Sequence, residues 1–369
     1  MKIFYIAEFI LPSNKAYSIH VFKMLDSFAK KGIQTQLIIP YAKNKINYYS
    51  LKKFYNLKCI KLIKIKSIFR RSKIFNFIQR FKFGYSTSLI LKNLDKKNII
   101  ITRSLATSIF LSLFKINHFI EIHQELKGLT KFLFISLNFI KSKSIIKIIF
   151  ISHALSDFYK PYTKNFIVLH DGVDLKDFQN LKKKIRKIKN ITYTGSFYKG
   201  RGVERIIDLA KKLSYINFNI YGQRNEFFGN LTKNIKIYKF VNHSKIPRIL
   251  NKSDILILPY SDKVSIDSEN FKDDISKFTS PIKMFEYLAS GTPIISSNLK
   301  VLREILKNEY NSILIKNFEN LNEWKKAILN LSNNKKLMKK ISINARKTAK
   351  NYSWDLRAKE YLTQFKKSF

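Results

Sequence analysis

The start of the chain alternates a strand, a helix and a second strand, and this alternation constrains the fold more than any other feature. Residues 3–7 form an apolar run typical of a buried strand, residues 17–31 carry apolar side chains at helical spacing before Gly32, and residues 34–39 form another strand. Such alternation predicts a parallel sheet with helices on both faces and ligands beyond the carboxyl ends of its strands. The pattern returns after residue 190, so we predict an α/β protein of two doubly wound Rossmann-like domains.

Composition limits where the chain can work. Its only cysteine is Cys59, which excludes an intrachain disulfide and is typical of a reducing compartment. The start turns acidic at Glu8, after an apolar run too short for a signal-peptide core. The longest uncharged run, residues 287–299, has 13 residues, where about 20 are needed to span a bilayer. We therefore predict a cytoplasmic protein that does not cross a membrane.

The chain is strongly basic. It carries 70 Lys and Arg against 25 Asp and Glu, a formal net charge of +45, and residues 51–100 contribute 11 Lys and 3 Arg against a single acid. Helical spacing within this segment predicts an apolar face flanked by basic residues, formed by Ile74, Phe77, Ile78 and Phe81. The pattern predicts contact with an anionic membrane surface. Two alternatives remain: an ordinary amphipathic helix packed on the sheet, and nucleic-acid binding, for which no recognised motif is present.

One stretch combines a helix, a carboxylate and a strand. Pro281 suits the first turn of a helix, and Gly291 followed by Pro293 is a typical helix stop. Glu286 then falls within the first two turns, where its carboxylate can accept hydrogen bonds from two adjacent hydroxyls, as on a ribose. The alternative is that Glu286 merely favours the helix start through the helix dipole.

The run from Ser280 to Pro293, SPIKMFEYLASGTP, resembles the donor-site segment of the family 4 glycosyltransferases, which are retaining enzymes of the GT-B fold. The resemblance implies that Glu286 holds the ribose of a nucleotide-sugar and that Lys283 also binds the donor. The chain departs from the family at Phe278, where the usual pattern has a second Glu that recognises the sugar.

A glycine-rich turn opens the second domain. Three of the ten glycines fall between Gly195 and Gly202, after a predicted strand and before a predicted helix. Glycine lets backbone N–H groups approach a phosphate, and Arg201 supplies a guanidinium that can bind it bidentately. The turn also resembles the family's diphosphate loop, with Ser196 in place of an Arg and Lys199 as a replacement cation. We predict that these residues, Gly195, Ser196, Lys199, Arg201 and Gly202, bind the donor.

Two histidines are candidate site residues. His123 follows a predicted strand, at the edge where α/β sheets place ligands, and could be structural or could donate to a sugar hydroxyl. Residues 121–123 resemble the family segment that carries a His beside the donor sugar, which favours a catalytic role for His123. His243 lies in a loop that the family places against the nucleotide base. The remaining histidines show no metal-ligand spacing, so we predict no metal and no other cofactor.

The resemblance implies two domains facing a cleft: residues 1–180 for the acceptor, residues 181–350 for the nucleotide-sugar, and a last helix within residues 351–369 that packs back on the first domain. We predict a retaining glycosyltransferase that uses a sugar or lipid-linked acceptor in cell-surface polysaccharide or glycolipid assembly, peripheral to the inner face of the cytoplasmic membrane. Two alternatives stay open. One is a GT-B epimerase acting on the same donors, and the other is a non-enzymatic basic protein that binds nucleic acid.

Overall fold

The computed structural model describes residues 1–43, 45–69, 77–181, 185, 187–222, 231–265 and 274–368. The chain divides into two compact units. Unit 1 comprises Met1–His170 and Trp354–Phe369, and unit 2 comprises Asp171–Ser353. The domain limits expected from the sequence were 180/181 and 350/351, and the units are divided at 170/171 and 353/354.

Unit 1 is built on a sheet of seven parallel strands, in the order β3-β2-β1-β4-β5-β6-β7. These strands are β1 (Lys2–Ile6), β2 (Gln34–Ile39), β3 (Ile63–Ser67), β4 (Ile99–Thr102), β5 (His118–Ile122), β6 (Ile145–Phe150) and β7 (Phe166–Val168). The connecting helices are α1 (Ala16–Ala29), α2 (Tyr48–Tyr55), α3 (Phe77–Leu91), α4 (Leu105–Leu113), α5 (Gly128–Ser136) and α6 (His153–Tyr159). All four residues of β4 are buried, because helices cover both faces of a parallel sheet.

Unit 2 is built on a sheet of six parallel strands, in the order β10-β9-β8-β11-β12-β13. These strands are β8 (Asn190–Thr194), β9 (Asn217–Tyr221), β10 (Ile235–Tyr238), β11 (Ile255–Leu258), β12 (Ile294–Ser297) and β13 (Ile313–Ile315). Its helices are α7 (Val203–Lys212), α8 (Ile246–Lys252), α9 (Ile282–Ser290), α10 (Leu321–Asn333) and α11 (Lys335–Ala349). The prediction of two doubly wound parallel sheets is therefore confirmed.

The last helix, α12 (Trp354–Lys366), belongs to unit 1. The ring of Tyr361 contacts the rings of Phe28 on α1 and Phe119 on β5, with centroid distances of 6.1 and 5.2 Å. The guanidinium of Arg357 donates hydrogen bonds to the backbone carbonyls of Leu169 and His170. This helix therefore completes the core of unit 1 and binds the residues where the chain leaves it.

The basic segment of unit 1 contains more than the helix whose apolar face the sequence predicted. Its described residues form α2, the strand β3 and the helix α3, which begins at Phe77. Residues 70–76, with the expected face residue Ile74, lie outside the described residues. Of the helices that the described residues form, none combines the length and apolar character that crossing a bilayer requires.

Candidate functional site

The turn that follows β8 brings Gly195 against two other segments of unit 2. Gly195 has a φ of +135°, and its N–H donates to the carbonyl of Tyr221 at 2.8 Å. A Cβ on Gly222 would lie 2.0 Å from the carbonyl oxygen of Gly195, and a Cβ on Gly195 would lie 2.1 Å from Nζ of Lys283. Glycine at 195 therefore leaves the room in which a lysine ammonium lies against the end of β8.

The other two glycines of the turn lie against the protein's own backbone. Gly200 and Gly202 have φ values of +81° and +76°. A Cβ on either would lie 1.9 Å from a backbone carbonyl oxygen, that of Lys263 for Gly200 and that of Pro259 for Gly202. Gly200 and Gly202 therefore allow the turn to pack closely against the backbone of the segment after β11.

The side chain of Arg201 lies against the same segment. Its Nη1 donates to Oη of Tyr260 at 2.9 Å, its Nη2 donates to the carbonyl of Ser265 at 3.4 Å, and its guanidinium carbon lies 5.0 Å from the centre of the Tyr260 ring. Its Nε is buried and has no hydrogen-bond partner among the described residues. None of the ion pairs formed within the described ranges joins Arg201 to a carboxylate. The guanidinium therefore keeps capacity for a further acceptor.

Lys283 on α9 places a second cation beside Arg201. Its Nζ lies 4.0 Å from the centre of the Tyr193 ring and 5.6 Å from that of Tyr260, and it is buried without a hydrogen-bond partner in the described part of the chain. Burial, and then the charge of Arg201, hold the pKa of the Lys283 amine well below its usual value. An anion that reached these two groups would relieve their repulsion and would favour the charged lysine.

Glu286 lies three residues further along α9. The residue before the helix is Pro281, so Glu286 is in the second turn, and the first turn contains no acid. Its Oε1 lies 2.6 Å from Nε2 of His243, whose Nδ1 is buried without a partner among the described residues. Because the helix dipole acts mainly within the first turn, this position weakens the helix-start explanation for Glu286.

The structure brings part of the predicted donor set together. Arg201 and Lys283 share the Tyr260 ring, and His243 contacts Glu286. Ser196 contributes its carbonyl, which accepts a hydrogen bond from Oη of Tyr193 at 2.7 Å. Lys199, the expected replacement cation, is exposed and holds Ser265 through its backbone carbonyl at 3.0 Å. The buried cation next to Arg201 is therefore Lys283.

Unit 1 contains a buried carboxylate, Glu121, that sequence reasoning missed as a site residue. Groups from three elements surround it: Oη of Tyr5 on β1 donates to Oε2 at 2.9 Å, Nε2 of His20 on α1 lies 3.0 Å from the same oxygen, and Arg357 and Tyr361 of α12 donate to Oε1. Burial alone would raise the pKa of Glu121, but the charges of His20 and Arg357 outweigh it and hold the pKa well below its usual range. An acid within a buried strand was the available signal, because such a charge requires partners.

His123 is oriented by this carboxylate. Its Nε2 lies 3.0 Å from Oε2 of Glu121, which can only accept, so Nε2 carries the proton. Burial and the charge of Arg103 lower the pKa of His123 to about 3, which leaves the ring neutral near pH 7. A neutral ring with a protonated Nε2 presents Nδ1 as an acceptor. The ring can therefore accept a hydrogen bond from a hydroxyl through Nδ1, whereas a donor role was expected from the sequence.

The donor atoms of His20, Glu121 and His123 lie within 4.8 Å of one another, close enough to hold a metal ion. Two guanidinium groups disfavour a cation there: Arg357 pairs with Glu121 at 3.0 Å, and Arg103 lies 4.0 Å from it. Positive charge already surrounds the carboxylate, and a metal would add to it. The absence of a metal remains a prediction.

Part of the chain matches a known family. The family model for glycosyl transferases group 1 matches residues 175–348, the part of the chain that contains the predicted donor-binding residues, and it confirms the resemblance drawn from the sequence at the level of a group 1 glycosyl transferase. Two uncharacterized glycosyltransferases of Methanocaldococcus jannaschii are similar. MJ1069 is 26% identical over 283 residues, 68% of this chain and 66% of the relative, and MJ1178 is 25% identical over 170 residues, 44% of each. The chain thus spans less than two thirds of either curated relative.

Solved structures show the fold. A glycosyltransferase from Rickettsia africae ESF-5 matches with a TM-score of 0.74 and 16% identity, over 100% of this chain and 98% of that one. Anabaena Alr3699/HepE, solved in complex with UDP and glucose, matches with a TM-score of 0.70 and 12% identity over 100% of both chains. At these identities the likeness establishes the fold alone. It is the GT-B fold of two Rossmann-like domains, as the sequence predicted.

Replacing Glu286 by Gln separates hydroxyl binding from a helix-start role. Gln keeps the shape and can still accept from His243, but it loses the charge that strengthens hydrogen bonds to two hydroxyls, each worth roughly 1.5–3 kcal/mol. We expect Glu286→Gln to weaken nucleotide binding by at least about tenfold, which corresponds to about 1.4 kcal/mol, with little change in melting temperature without ligand. Calorimetric titration and thermal unfolding of one preparation measure both quantities.

The matched control for this substitution is Glu323→Gln. Glu323 is the first-turn acid of α10, so it has the helix-start position that Glu286 lacks. We expect the control to lose about 0.3–1 kcal/mol of unfolding free energy and no nucleotide affinity. If Glu286→Gln behaves as Glu323→Gln does, Glu286 is not a ligand-binding residue.

Proposed function

We propose that this protein, whose residues 175–348 match the group 1 glycosyl transferases, is a glycosyltransferase that moves a sugar from a nucleoside-diphosphate donor to an acceptor. The observation that carries the proposal is the cation pair formed by Lys283 and Arg201. Both cations lie against the Tyr260 ring, and the described residues supply no carboxylate to them at salt-bridge distance. A diphosphate is the substrate group whose charge this pair would neutralise.

The helix α9 supports a donor that contains a ribose next to its diphosphate. Lys283 and Glu286 are three residues apart, so their side chains leave the same face of the helix about 5–6 Å from each other. A cation next to a hydrogen-bond acceptor at this spacing suits a phosphate followed by adjacent hydroxyls. His243, which contacts Glu286 at 2.6 Å, would fix the carboxylate while its second oxygen binds the ribose.

The same groups would assist the chemistry. When the sugar leaves, negative charge develops on the diphosphate, and preorganised cations in a partly buried site stabilise such charge more than water does. Lys283 and Arg201 would serve this role without a metal. The retention of configuration at the sugar follows from the resemblance to family 4 enzymes, and so does a role in polysaccharide or glycolipid assembly.

Binding of nucleotide-sugars tests the proposal directly. Because HepE, a protein of the same fold, was solved with UDP and glucose, UDP-sugars are the first donors to test, followed by GDP- and ADP-sugars. A donor that binds only the folded state should stabilise it by about 2.7 kcal/mol at 100 times its Kd, measured as a thermal shift.

The outcomes of this screen separate the candidates. No stabilisation by any nucleotide-sugar, together with nucleic-acid binding that falls steeply with salt, would indicate the non-enzymatic alternative instead. A new nucleotide-sugar formed from a bound donor without acceptor would indicate an epimerase. Transfer of the sugar to an added saccharide or lipid-linked saccharide would support the transferase.

His123 is the residue that we propose contacts substrate in unit 1. Its neutral ring is held through Nε2, and Nδ1 would accept a hydrogen bond from a substrate hydroxyl. We expect His123→Ala to lower turnover while nucleotide affinity stays within about twofold, because the lost contact is to the sugar or acceptor rather than to the nucleotide. The control is His153→Ala, an exposed histidine at the start of α6. Unchanged turnover in His123→Ala would make the ring a structural residue.

We also propose that the protein works as a peripheral protein on the inner face of the cytoplasmic membrane, on an acceptor embedded in lipid. The net charge of +45 supports this, because each Lys or Arg near an anionic surface contributes about 1 kcal/mol of attraction. Such attraction alone is weakened by salt, so stable attachment needs a second, apolar contribution.

A further inference from the structure

The helix α3 buries Phe83 and Leu91 in the core of unit 1 but exposes several of its other large apolar side chains. Phe77, Ile78 and Tyr85 are 43%, 63% and 47% exposed, and Leu89 and Ile90 are exposed as well. A surface helix normally buries such residues and exposes its polar ones. The outer side of α3 is therefore unusually apolar for a helix at a protein surface.

Small residues on the inner side of α3 explain how it packs. A Cβ on Gly84 would lie 2.8 Å from the backbone carbon of Ala106, so α3 and α4 approach closely at this point. Thr87 and Ser88, also on the inner side, are buried, and their hydroxyls have no hydrogen-bond partner among the described residues. The close contact with α4 uses these small side chains, and the rings of Phe77 and Tyr85 lie outside it.

The outer side of α3 forms a continuous aromatic surface with α4. Ring centroids are 4.7 Å apart for Phe77 and Phe81, 5.5 Å for Tyr85 and Phe110, and 6.1 Å for Tyr85 and Phe114. We call these five residues, Phe77, Phe81, Tyr85, Phe110 and Phe114, the aromatic face. Five rings in contact at a partly exposed surface are unusual for a protein surface and mark a site of interaction.

Basic residues border the aromatic face. Lys82, Lys92 and Lys115 are exposed, and Nζ of Lys92 lies 5.7 Å from the centre of the Phe114 ring. The sequence from residue 77 to residue 116 carries five Lys and two Arg against one acid, Asp95. A second copy of this chain would bring like charges together across such a surface, whereas an anionic bilayer would pair them.

We propose that the aromatic face inserts into the interface of an anionic lipid bilayer. Aromatic rings are favoured at the boundary between headgroups and acyl chains, and the lysines extend from it to lipid phosphates. This inference rests on the proposed function in one respect: it would place the enzyme at the membrane surface, where a lipid-linked acceptor would lie. The apolar contribution would keep the protein bound at salt concentrations that screen its charge.

The test replaces the exposed rings of the aromatic face by polar side chains and leaves its other three rings unchanged. Phe77→Gln combined with Tyr85→Gln removes the two most exposed rings of the face and keeps good helix formers on α3. The matched control is Tyr215→Gln with Ile343→Gln in unit 2, where two exposed apolar side chains are lost far along the chain from α3. Both variants keep the formal net charge of the parent, so electrostatic attraction is equal.

Sedimentation with vesicles that contain anionic lipid measures the effect. At salt sufficient to screen surface charges, we expect the α3 variant to bind at least about tenfold more weakly than the parent and the control to bind as the parent does. The proposal fails if the α3 variant binds as the parent does. It also fails if the parent is a dimer that the α3 variant converts to monomer without a change in vesicle binding, because the face then joins two copies of the chain.

A single reporter gives an independent readout. Both tryptophans, Trp324 and Trp354, are buried, so Tyr85→Trp adds an exposed tryptophan on the aromatic face. We expect vesicles with brominated acyl chains to quench the added emission, and emission that brominated lipid leaves unchanged would overturn insertion. Thermal shift with UDP-sugars on the same variants reports donor binding by unit 2. Loss of vesicle binding with an intact thermal shift therefore separates this inference from the proposed function.

Discussion

The candidate site of unit 2 depends on the amine of Lys283, which is buried away from water. Nζ of Lys283 lies against the Tyr193 ring next to Arg201, and burial lowers its pKa well below the usual value. Removing an ion from water costs several kcal/mol unless partners compensate. The Tyr193 ring and the charge of Glu286 offset only part of this cost, because the pKa of Lys283 stays lowered. A bound anion would offset the remainder. Gly195 provides the space for the amine at the end of β8.

Unit 1 shows the opposite arrangement. Glu121 is a buried anion with a surplus of donors, among them Tyr5, Arg357 and Tyr361, and the same carboxylate orients His123. The charge of this site is already balanced, so it is suited to position a neutral imidazole rather than to bind an anion. Arg357 and Tyr361 come from the last helix, which makes the orientation of His123 depend on residues more than 200 positions away in the chain.

The sequence was sufficient to predict the two sheets and the segments that form the candidate site of unit 2. Gly291 and the apolar spacing before it located α9, and the glycines from 195 to 202 located the turn after β8. It could not show that Lys283 is the buried cation and Lys199 the exposed one, because that depends on the packing of α9 against β8. Periodicity also gave α3 an apolar face without showing whether that face meets the core. In the structure Phe83 and Leu91 of α3 meet the core, whereas Phe77, Ile78 and Tyr85 are exposed.

The central claim is that Lys283 is held in an unfavourable environment because it binds an anion, and Lys283→Met tests it. Without ligand, we expect the variant to be at least as stable as the parent near pH 7. The pKa of the Lys283 amine is 10.5 in the unfolded chain and lies well below this value in the folded protein. Between these two pKa values the unfolded state binds more protons than the folded state, so the stability of the parent relative to the variant should rise as the pH increases. Nucleotide affinity should fall at least about tenfold, and Lys199→Met should change neither quantity. A Lys283→Met protein that is less stable than the parent and binds nucleotide equally well would contradict the account.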